Sequence, residues 1–413
     1  MPTDTTGPDA VLELEALRAA VAADLPAYLT DLERLVNTDC GSYTPEGVDE
    51  VGRWVAGFFE GLGAQVDVRR DPEGRFGSTV VATFHGTPGG PRVLLIGHMD
   101  TVFDPGTAAA RPFRIDEGIA YGPGVTDMKS GLLAGLYAIK AILHESGGLP
   151  FERLTFIANP DEEVGSPTSS PHIRAEASDV DACLVLECGR ANGNIVSSRK
   201  GIMDTRIAIH GRAAHAGVEP EKGRSAVLEA ARVIRELHAL NGRWEGVTVN
   251  VGKVAGGTRP NVVAERCDLE VDLRSTTAAG LREIEAAVRE VAARPEVPDT
   301  TIDVEVRTGW LPMEKLERSG RLVDHVKAIA GRLDIALDDQ ATGGASDANT
   351  TSGMGVPTID GLGPVGGNDH APTEYLEVDS IVPRTTLLAG LLLAIARDPQ
   401  VLAWRGDDPR FAS

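Results

Sequence analysis

Four short segments of the chain end in side chains that commonly bind metal ions, and the same two kinds of donor recur in them. They read Gly97-His98-Met99-Asp100, Gly122 to Lys129, Asp161 to Gly165, and Gly367-Asn368-Asp369-His370. Three of the four directly follow an apolar run or a tight glycine turn, where a strand ends and a loop begins. Carboxylates mixed with imidazoles, without cysteine, are the ligand set of a catalytic zinc or cobalt site.

Three continuous apolar runs predict strands that are buried on both faces of a parallel sheet. The runs are 93–96, 154–158 and 182–186. They end just before His98, Asp161-Glu162-Glu163 and Glu187. Because ligands of open α/β sheets gather outside the carboxyl ends of the strands, we expect these side chains to converge. Helical periodicity predicts helices over 11–37, 42–62, 132–143, 320–333 and 379–397.

Between about residues 202 and 310 the pattern changes to the period-two alternation of half-exposed antiparallel strands. The predicted strands lie near 203–209, 247–251, 267–273 and 302–306, and the predicted helices near 224–240 and 278–293. The order βαββαβ is the split-βαβ arrangement. The prediction is an α/β fold, with a mostly parallel-sheet catalytic domain (11–201 and 311–413) and an inserted α+β ferredoxin-like domain (202–310).

Composition and charge narrow the classes of function. The formal net charge of −21, from 40 basic and 61 acidic residues, argues against nucleic-acid binding, because phosphates require cations. The first ten residues lack the basic stretch of a signal peptide, and the longest apolar stretch, 387–396, is shorter than a membrane span. The prediction is a cytoplasmic protein without membrane contact, whose four cysteines are buried, reduced thiols.

The candidate ligands also have an explanation without metal. Taken alone, His98 followed by Asp100 fits a buried histidine that is satisfied by a neighbouring aspartate. If the strands converge, however, four or five carboxylates share one pocket. Their repulsion would raise their pKa values or destabilise the fold unless cations are present. We therefore prefer a metal site to a set of unrelated surface acids.

Seven motifs spread over nearly the whole chain carry a family resemblance. They are His98-Met99-Asp100-Thr101-Val102, Gly122 to Gly131, Asp161 to Ser166, Ala214-His215-Ala216-Gly217, Gly257-Thr258-Arg259-Pro260-Asn261, Asp272-Leu273-Arg274, and Gly344 to Ala348. As a set they resemble the M20 metallopeptidase family, and in particular its glutamate carboxypeptidase (carboxypeptidase G2-like) branch. The resemblance implies a zinc-hydrolase catalytic domain, with the inserted domain acting as a lid and in dimerisation.

The resemblance implies two divalent metal ions, zinc in the first place, with cobalt or manganese as alternatives. His98 and Glu187 would hold one ion, Glu163 and His370 would hold the other, and Asp127 would bridge them. Two ions about 3.5–4 Å apart can activate a shared water and clamp both the attacking and the carbonyl oxygen.

The same resemblance assigns roles to further residues of this domain. Asp100 would orient the His98 ring without touching metal, and Glu162 would be the general base. The Asp127–Met128 peptide bond is expected to be cis. Glutamate rather than aspartate at position 187 matches the carboxypeptidases and deacylases of the family more than its aminopeptidases.

Three residues of the inserted domain each have two interpretations. By themselves, His215 is a polar residue of a glycine-flanked turn, Arg274 pairs with a neighbouring acid, and Asn261 caps a turn. The resemblance implies instead that His215 reaches across a homodimer to stabilise the oxyanion. It also implies that Arg274 grips the substrate carboxylate in a fork geometry, with Asn261 nearby.

These observations predict a two-domain hydrolase with two metal ions, which cleaves the amide bond to a C-terminal amino acid of a peptide or N-acyl amino acid. Glutamate is the candidate amino acid. The first alternative is an N-acetyl or N-succinyl amino-acid deacylase that uses the same site. The second is a non-catalytic binding protein stabilised by metal, against which Glu162 argues, because a protein that only binds has no use for a base.

Overall fold

The chain divides into two units in the computed structural model, which describes residues 8–407. The first unit comprises the described residues up to Ser197, Lys315–Ala341 and those from Ser346 onward, and the second comprises Ser198–Glu314 and Thr342–Ala345. The strands are β1 (Gln65–Arg69), β2 (Thr79–His85), β3 (Arg92–His98), β4 (Arg114–Asp116), β5 (Ile119–Tyr121), β6 (Arg153–Asn159), β7 (Ala182–Val185), β8 (Ile195–Arg199), β9 (Gly201–His210), β10 (Thr248–Gly256), β11 (Arg266–Ser275), β12 (Thr301–Trp310), β13 (Asp339–Thr342), β14 (Thr358–Ile359), β15 (Gly366–Gly367) and β16 (Tyr375–Glu377). The helices are α1 (Pro8–Val36), α2 (Pro45–Gly61), α3 (Thr107–Ala110), α4 (Ser130–Ser146), α5 (Ser170–Ala177), α6 (Ala226–His238), α7 (Ala278–Ala292), α8 (Glu317–Arg332), α9 (Asp347–Gly353), α10 (Ile381–Arg397) and α11 (Pro399–Ala403).

The first unit is built on a six-stranded sheet with the order β1-β2-β6-β3-β7-β14. Strand β3 runs parallel to both β6 and β7, and β14 runs parallel to β7. These strands contain the runs 93–96 and 154–158 and all but the last residue of the run 182–186, so the predicted buried parallel strands are confirmed. The sequence analysis missed β1 and β2, which pair antiparallel at one edge of the sheet.

Helix α4 packs in the centre of this unit, against α1 and α10. Every residue from Ser130 to Ile139 is buried, as expected for a helix that is apolar on all sides. At Gly131 a Cβ atom would lie 1.8 Å from the carbonyl oxygen of Leu186. Only glycine therefore lets α4 approach the end of β7 so closely.

Helix α10 belongs to a long apolar segment of the described chain. The segment Val378–Arg397 has the length and composition that a membrane-spanning helix would also have, with a mean hydropathy of 1.5. It is longer than the apolar stretch 387–396 considered in the sequence analysis. Within the unit, 67% of its most apolar part is buried, and α10 packs against α1, α4 and α8. Buried Arg384 on α10 donates hydrogen bonds to the carbonyl oxygens of Gly193 and Gly363. This environment is that of a core helix.

A second, small sheet with the order β15-β16-β5-β4 positions two of the functional loops. Strand β5 ends at Tyr121, just before the Gly122 to Asp127 turn, and β15 ends at Gly367, just before the His370 loop. Strand β16 pairs with both of them. The sequence analysis missed this sheet because its strands are only two or three residues long.

The second unit has the predicted βαββαβ order, with the antiparallel sheet β10-β11-β9-β12 and the helices α6 and α7. The ferredoxin-like prediction is thereby confirmed. Each helix begins after a side-chain cap, since Ser225 Oγ accepts the Leu228 N–H and Thr277 Oγ1 accepts the Gly280 N–H. Apolar residues of the strands and of both helices form one core.

All four cysteines are buried and unpaired, as predicted. Burial raises the pKa of the Cys40 and Cys183 thiols, so these groups stay protonated. They therefore act as small apolar side chains of the core rather than as reactive thiolates.

Candidate metal centre

Three strands of the six-stranded sheet end at one edge, and each is followed by a candidate ligand. Strand β3 ends at His98 itself, β6 ends at Asn159, shortly before Glu163, and β7 ends at Val185, shortly before Glu187. Because β3 lies between β6 and β7 and parallel to both, the carboxyl ends meet. His98 and Glu187 are buried there, with 1% and 7% of their surface exposed.

Asp127 faces both candidate histidines with its two carboxylate oxygens. Its Oδ1 lies 3.2 Å from Nε2 of His98, and its Oδ2 lies 3.1 Å from Nε2 of His370. The aspartate stands in the short turn Val125–Lys129 that precedes α4. The Asp127–Met128 peptide bond in this turn is cis, as predicted. One oxygen toward each imidazole is the arrangement expected of a bridging carboxylate.

A glutamate stands beside each histidine. Glu187 Oε1 lies 3.8 Å from Nε2 of His98, and Glu163 Oε2 lies 3.1 Å from Nε2 of His370. Donor atoms of His98, Asp127 and Glu163 lie within 4.8 Å of one another. Two atoms that share a tetrahedral cation at about 2.1 Å lie about 3.4 Å apart. The donors therefore have the chemical type and the spacing to hold two divalent cations.

Buried Asp100 holds the His98 ring and the glutamate segment together. Nδ1 of His98 lies 3.0 Å from the Asp100 carbonyl oxygen and 3.3 Å from Oδ1, so Nδ1–H donates and Nε2 is left as the ligand atom. The Asp100 carboxylate also accepts the backbone N–H groups of Glu162 at 3.1 Å and Glu163 at 3.2 Å, and the Ser42 hydroxyl at 2.6 Å. Besides orienting the imidazole, Asp100 thus fixes the backbone from which both glutamates project.

The neighbouring side chains of Glu162 and Glu163 differ in their partners. The Glu163 carboxylate lies against His370. Within the described residues the Glu162 carboxylate makes no hydrogen bond or ion pair, although one of its oxygens lies within 4.8 Å of donor atoms of His98 and Glu187. An uncommitted carboxylate next to the ligand atoms is what a general base requires.

The pKa values show how the site is charged without cations. Hydrogen bonds with two carboxylates raise the pKa of His370 to about 10. Burial lowers the pKa of His98, but hydrogen bonds with two aspartates outweigh it and raise that pKa well above its usual range. Burial raises the pKa of Asp127, but the hydrogen bonds with His370 and His98 have the larger effect, so the pKa of Asp127 is lowered. For Glu162 and Glu163 burial has the larger effect, and their pKa values are raised. Protons on the imidazoles and the buried carboxyls thus take the place that divalent cations would fill.

Glu374, which the sequence reasoning did not single out, holds the turn that carries Asp127. Its carboxylate is buried and accepts the backbone N–H groups of Gly124 at 2.9 Å, Thr126 at 2.9 Å and Asp127 at 3.0 Å. Gly124 has a φ of 72°, and a Cβ there would lie 2.6 Å from Thr101 Cγ2, so the turn requires glycine. Burial raises the pKa of Glu374 to about 7. An acid four residues after the last candidate histidine was the only signal in the sequence.

Glu374→Gln is expected to weaken metal binding by roughly 10-fold to 100-fold. The reason is that an amide has one acceptor oxygen and an NH₂ group, which would face a backbone donor of the turn. Metal affinity is measured by competition with a chromogenic chelator. Glu377→Gln, three residues further along the chain, is the matched control. Unchanged affinity in Glu374→Gln, or an equal loss in the control, would contradict the assigned role.

Two more buried aspartates brace the loop that carries the two glutamates. Asp347 accepts the Ser166 hydroxyl at 2.5 Å and the Asn159 amide at 2.6 Å. Asp161 accepts the Ser169 hydroxyl at 2.5 Å. Burial raises the pKa of Asp347 to about 7. These bonds hold the loop in position, so Asp347 and Asp161 stabilise the loop and are not candidate ligands.

The remaining predicted site residues, His215, Asn261 and Arg274, lie in the second unit. Nδ1 of the exposed His215 accepts a backbone N–H two residues further on at 3.1 Å. Asn261 is also exposed, and its carbonyl oxygen accepts the Ala216 N–H at 3.0 Å. Arg274 forms an ion pair with Asp272 at 2.9 Å. Their roles toward a substrate stay predictions.

Comparisons with known proteins agree with this fold. Residues 94–394 match the peptidase family M20/M25/M40. Carboxypeptidase G2 of Pseudomonas sp. (strain RS-16) is 30% identical over 91% of this chain and 90% of its own length. Succinyl-diaminopimelate desuccinylase of Dechloromonas aromatica (strain RCB) is 27% identical over 70% of this chain and 80% of its own length. The crystal structure of a tripeptidase from Staphylococcus aureus superposes with a TM-score of 0.76 at 24% identity, covering 91% of this chain and 99% of that one.

The fold, the donor set and these matches define a metal-dependent hydrolase. The chain belongs to the peptidase family M20/M25/M40, whose match spans most of its length. The family resemblance seen in the sequence is thereby confirmed. The non-catalytic binding protein considered there is set aside.

Proposed function

We propose that this hydrolase cleaves the amide bond to a C-terminal amino acid of a peptide or N-acyl amino acid, with glutamate as the first candidate. The observation that carries the proposal is the Asp127 carboxylate between His98 and His370, with the uncommitted Glu162 beside it. The similarity to a carboxypeptidase over 91% of the chain supports this reaction.

In this proposal His98 and Glu187 hold one divalent cation, Glu163 and His370 hold the other, and Asp127 contacts both. When bound, such cations would polarise the amide carbonyl and lower the pKa of a water toward roughly 7. Zinc is the proposed metal, with cobalt and manganese as alternatives. Imidazole and carboxylate donors without a thiolate support this choice.

Glu162 is the proposed general base. Its carboxylate takes the proton of the attacking water and then gives it to the amide nitrogen, which must leave as an amine. The hydrogen bond from the Glu162 backbone to Asp100 keeps this carboxylate in place during both transfers. Asp100 also keeps the proton of His98 on Nδ1 and so holds Nε2 toward the site.

An N-acetyl or N-succinyl amino-acid deacylase is the second candidate, and the similarity to a desuccinylase over 70% of the chain favours it. The two reactions break the same bond and differ in which product is small. The experiment is a panel of acyl-glutamates, dipeptides and N-acetyl amino acids, tested with zinc or cobalt added. A higher kcat/KM for bulky acyl-glutamates supports the carboxypeptidase, and one for N-acetyl or N-succinyl amino acids supports the deacylase. No hydrolysis of any amide by the metal-loaded protein would contradict both.

We further propose a homodimer formed through the second unit. Its sheet has β10 at one edge, where most residues are exposed and Val254 keeps 52% of its surface accessible. An unpaired edge strand can pair with the same strand of a second copy. In such a dimer His215 would contribute to the site of the partner.

His215→Ala is expected to lower kcat by roughly 10²-fold to 10³-fold without changing the metal content, because it would remove a donor to the oxyanion. Metal analysis, steady-state kinetics and sedimentation velocity on one preparation check this. His210→Ala, which replaces a partly exposed histidine of the same unit, is the matched control and should keep its activity. An unchanged kcat would contradict the role of His215, and a fully active monomer at assay concentration would contradict the dimer.

A further inference from the structure

Arg111 carries a positive charge at the metal centre that no described side chain neutralises. Its guanidinium stacks over the Phe103 ring, with Cζ 4.6 Å from the ring centre. Its Nη1 donates a long hydrogen bond of 3.5 Å to the carbonyl oxygen of Ala371. Within residues 8–407 no carboxylate oxygen lies within 4.0 Å of this guanidinium. Most of its N–H donors are therefore available to a ligand.

Both contacts of Arg111 place it beside the candidate ligands. Ala371 directly follows His370, whose Nε2 lies 3.1 Å from Asp127 and Glu163. Phe103 lines a cavity of about 210 Å³ that Glu163 also lines. The guanidinium thus stands at the edge of the centre that holds the proposed catalytic groups.

The charge balance of the centre explains why this guanidinium matters for the binding of an anion. Asp127, Glu162, Glu163 and Glu187 carry four negative charges, which two divalent cations would balance. The loaded centre would then exert little net attraction on an anion, and the chain as a whole, at −21, repels one. Arginine stays charged at all relevant pH values and matches a carboxylate with two parallel N–H donors.

We propose that Arg111 binds a second carboxylate of the substrate, in addition to the carboxylate of the departing amino acid. The inference rests on the proposed amide hydrolysis and identifies the substrate class as a dicarboxylate. The aliphatic part of such a group lies along the Phe103 ring, and its carboxylate reaches the guanidinium stacked there. Arg274 remains the proposed partner of the carboxylate common to all substrates.

The second carboxylate belongs either to an acidic side chain of the departing amino acid or to a succinyl-type acyl group. Two matched pairs separate these sources. N-acetyl-L-glutamate against N-acetyl-L-glutamine tests the amino-acid side, and N-succinyl-L-alanine against N-acetyl-L-alanine tests the acyl side. Arg111→Gln is expected to raise KM roughly 10-fold to 100-fold for the dicarboxylate of one pair and to leave the KM of its monocarboxylate counterpart unchanged. Arg111→Lys, which keeps the charge but not the fork, should recover part of the loss.

A binding measurement separates this inference from the proposed reaction. Calorimetric titration of the same four compounds into metal-loaded Glu162→Gln protein, with and without Arg111→Gln, reports affinity without turnover. Arg114→Gln is the matched control, since Arg114 also stacks on an aromatic ring, Tyr121, at 4.0 Å but has Asp116 at 3.6 Å. If Arg111→Gln weakens all four compounds equally, or none of them, the inference is overturned. If the wild type hydrolyses none of them while Arg111→Gln still lowers dicarboxylate affinity selectively, the proposed reaction fails and the subsite stands.

Discussion

Glu162→Gln is expected to lower kcat by about 10²-fold to 10⁴-fold while both metal ions stay bound, because the loss of a general base typically has this effect. Glutamine keeps the size of the side chain and one acceptor oxygen, but its amide cannot take the proton of the attacking water. The structure motivates the prediction through the contrast between the Glu163 carboxylate, which lies against His370, and the Glu162 carboxylate, which makes no hydrogen bond or ion pair within residues 8–407.

Metal content and turnover must be measured on the same Glu162→Gln preparation. A donor oxygen of Glu162 lies within 4.8 Å of donor atoms of His98 and Glu187, so the competing interpretation is a metal ligand. Glu163→Gln is the matched comparison, because the adjacent acid is a proposed ligand and its loss should lower the metal content. If Glu162→Gln loses metal as Glu163→Gln does, Glu162 is a ligand. Near-full turnover with both ions bound would exclude it as the base.

Removal of the metal ions is expected to abolish activity and to lower the melting temperature by roughly 4–5 °C. A ligand at 100-fold excess over its dissociation constant stabilises the folded state by about 2.7 kcal/mol. The unit that carries the site is larger than about 250 residues, so about 1 kcal/mol corresponds to a change of roughly 1.5–2 °C. The physical cause is the repulsion among Asp127, Glu162, Glu163 and Glu187 that remains when the cations leave. Differential scanning calorimetry before and after dialysis against a chelator measures the change, with metal-replenished protein as the control.

The loss of folding stability caused by metal removal should increase with pH. The pKa of His370 is raised to about 10 in the folded chain, from about 6.5 in the unfolded chain. Its stabilising protonation is therefore complete below about pH 6.5 and is lost as the pH rises toward about 10. The raised pKa values of Glu162 and Glu163 act in the same direction. The lowered pKa of Asp127 acts in the opposite direction, but only in strong acid, outside this window.

The pH dependence is checked by comparing the loaded and stripped proteins at about pH 6 and about pH 9. A larger difference in melting temperature at the higher pH is the expected result. If verified metal removal left the melting temperature unchanged at both pH values, these carboxylates would not share one site, and the dinuclear assignment would fall.

The elements that present the ligands followed from local pattern. The runs 93–96 and 154–158 lie within β3 and β6, and the run 182–186 covers β7 and the residue after it, because a strand covered on both faces must be apolar at consecutive positions. The alternation between about 202 and 310 predicted the antiparallel sheet of the second unit for the same kind of reason. Residue types and spacing also predicted a site for metal ions, since imidazoles and carboxylates at strand ends have few other common uses.

The precise supports of the site were decided by tertiary contacts. Glu374 accepts the N–H of Gly124 from 250 residues away in the chain, and no local pattern marks such a partner. Asp100 was predicted to orient His98, but its bonds to the backbone of Glu162 appear only once two strand ends lie side by side. The small sheet that carries the loops of Asp127 and His370 has strands too short for a period to be visible in the sequence. Apolar burial is encoded in neighbouring residues and can be predicted from them, whereas a buried carboxylate takes its partners from wherever the fold brings free N–H groups.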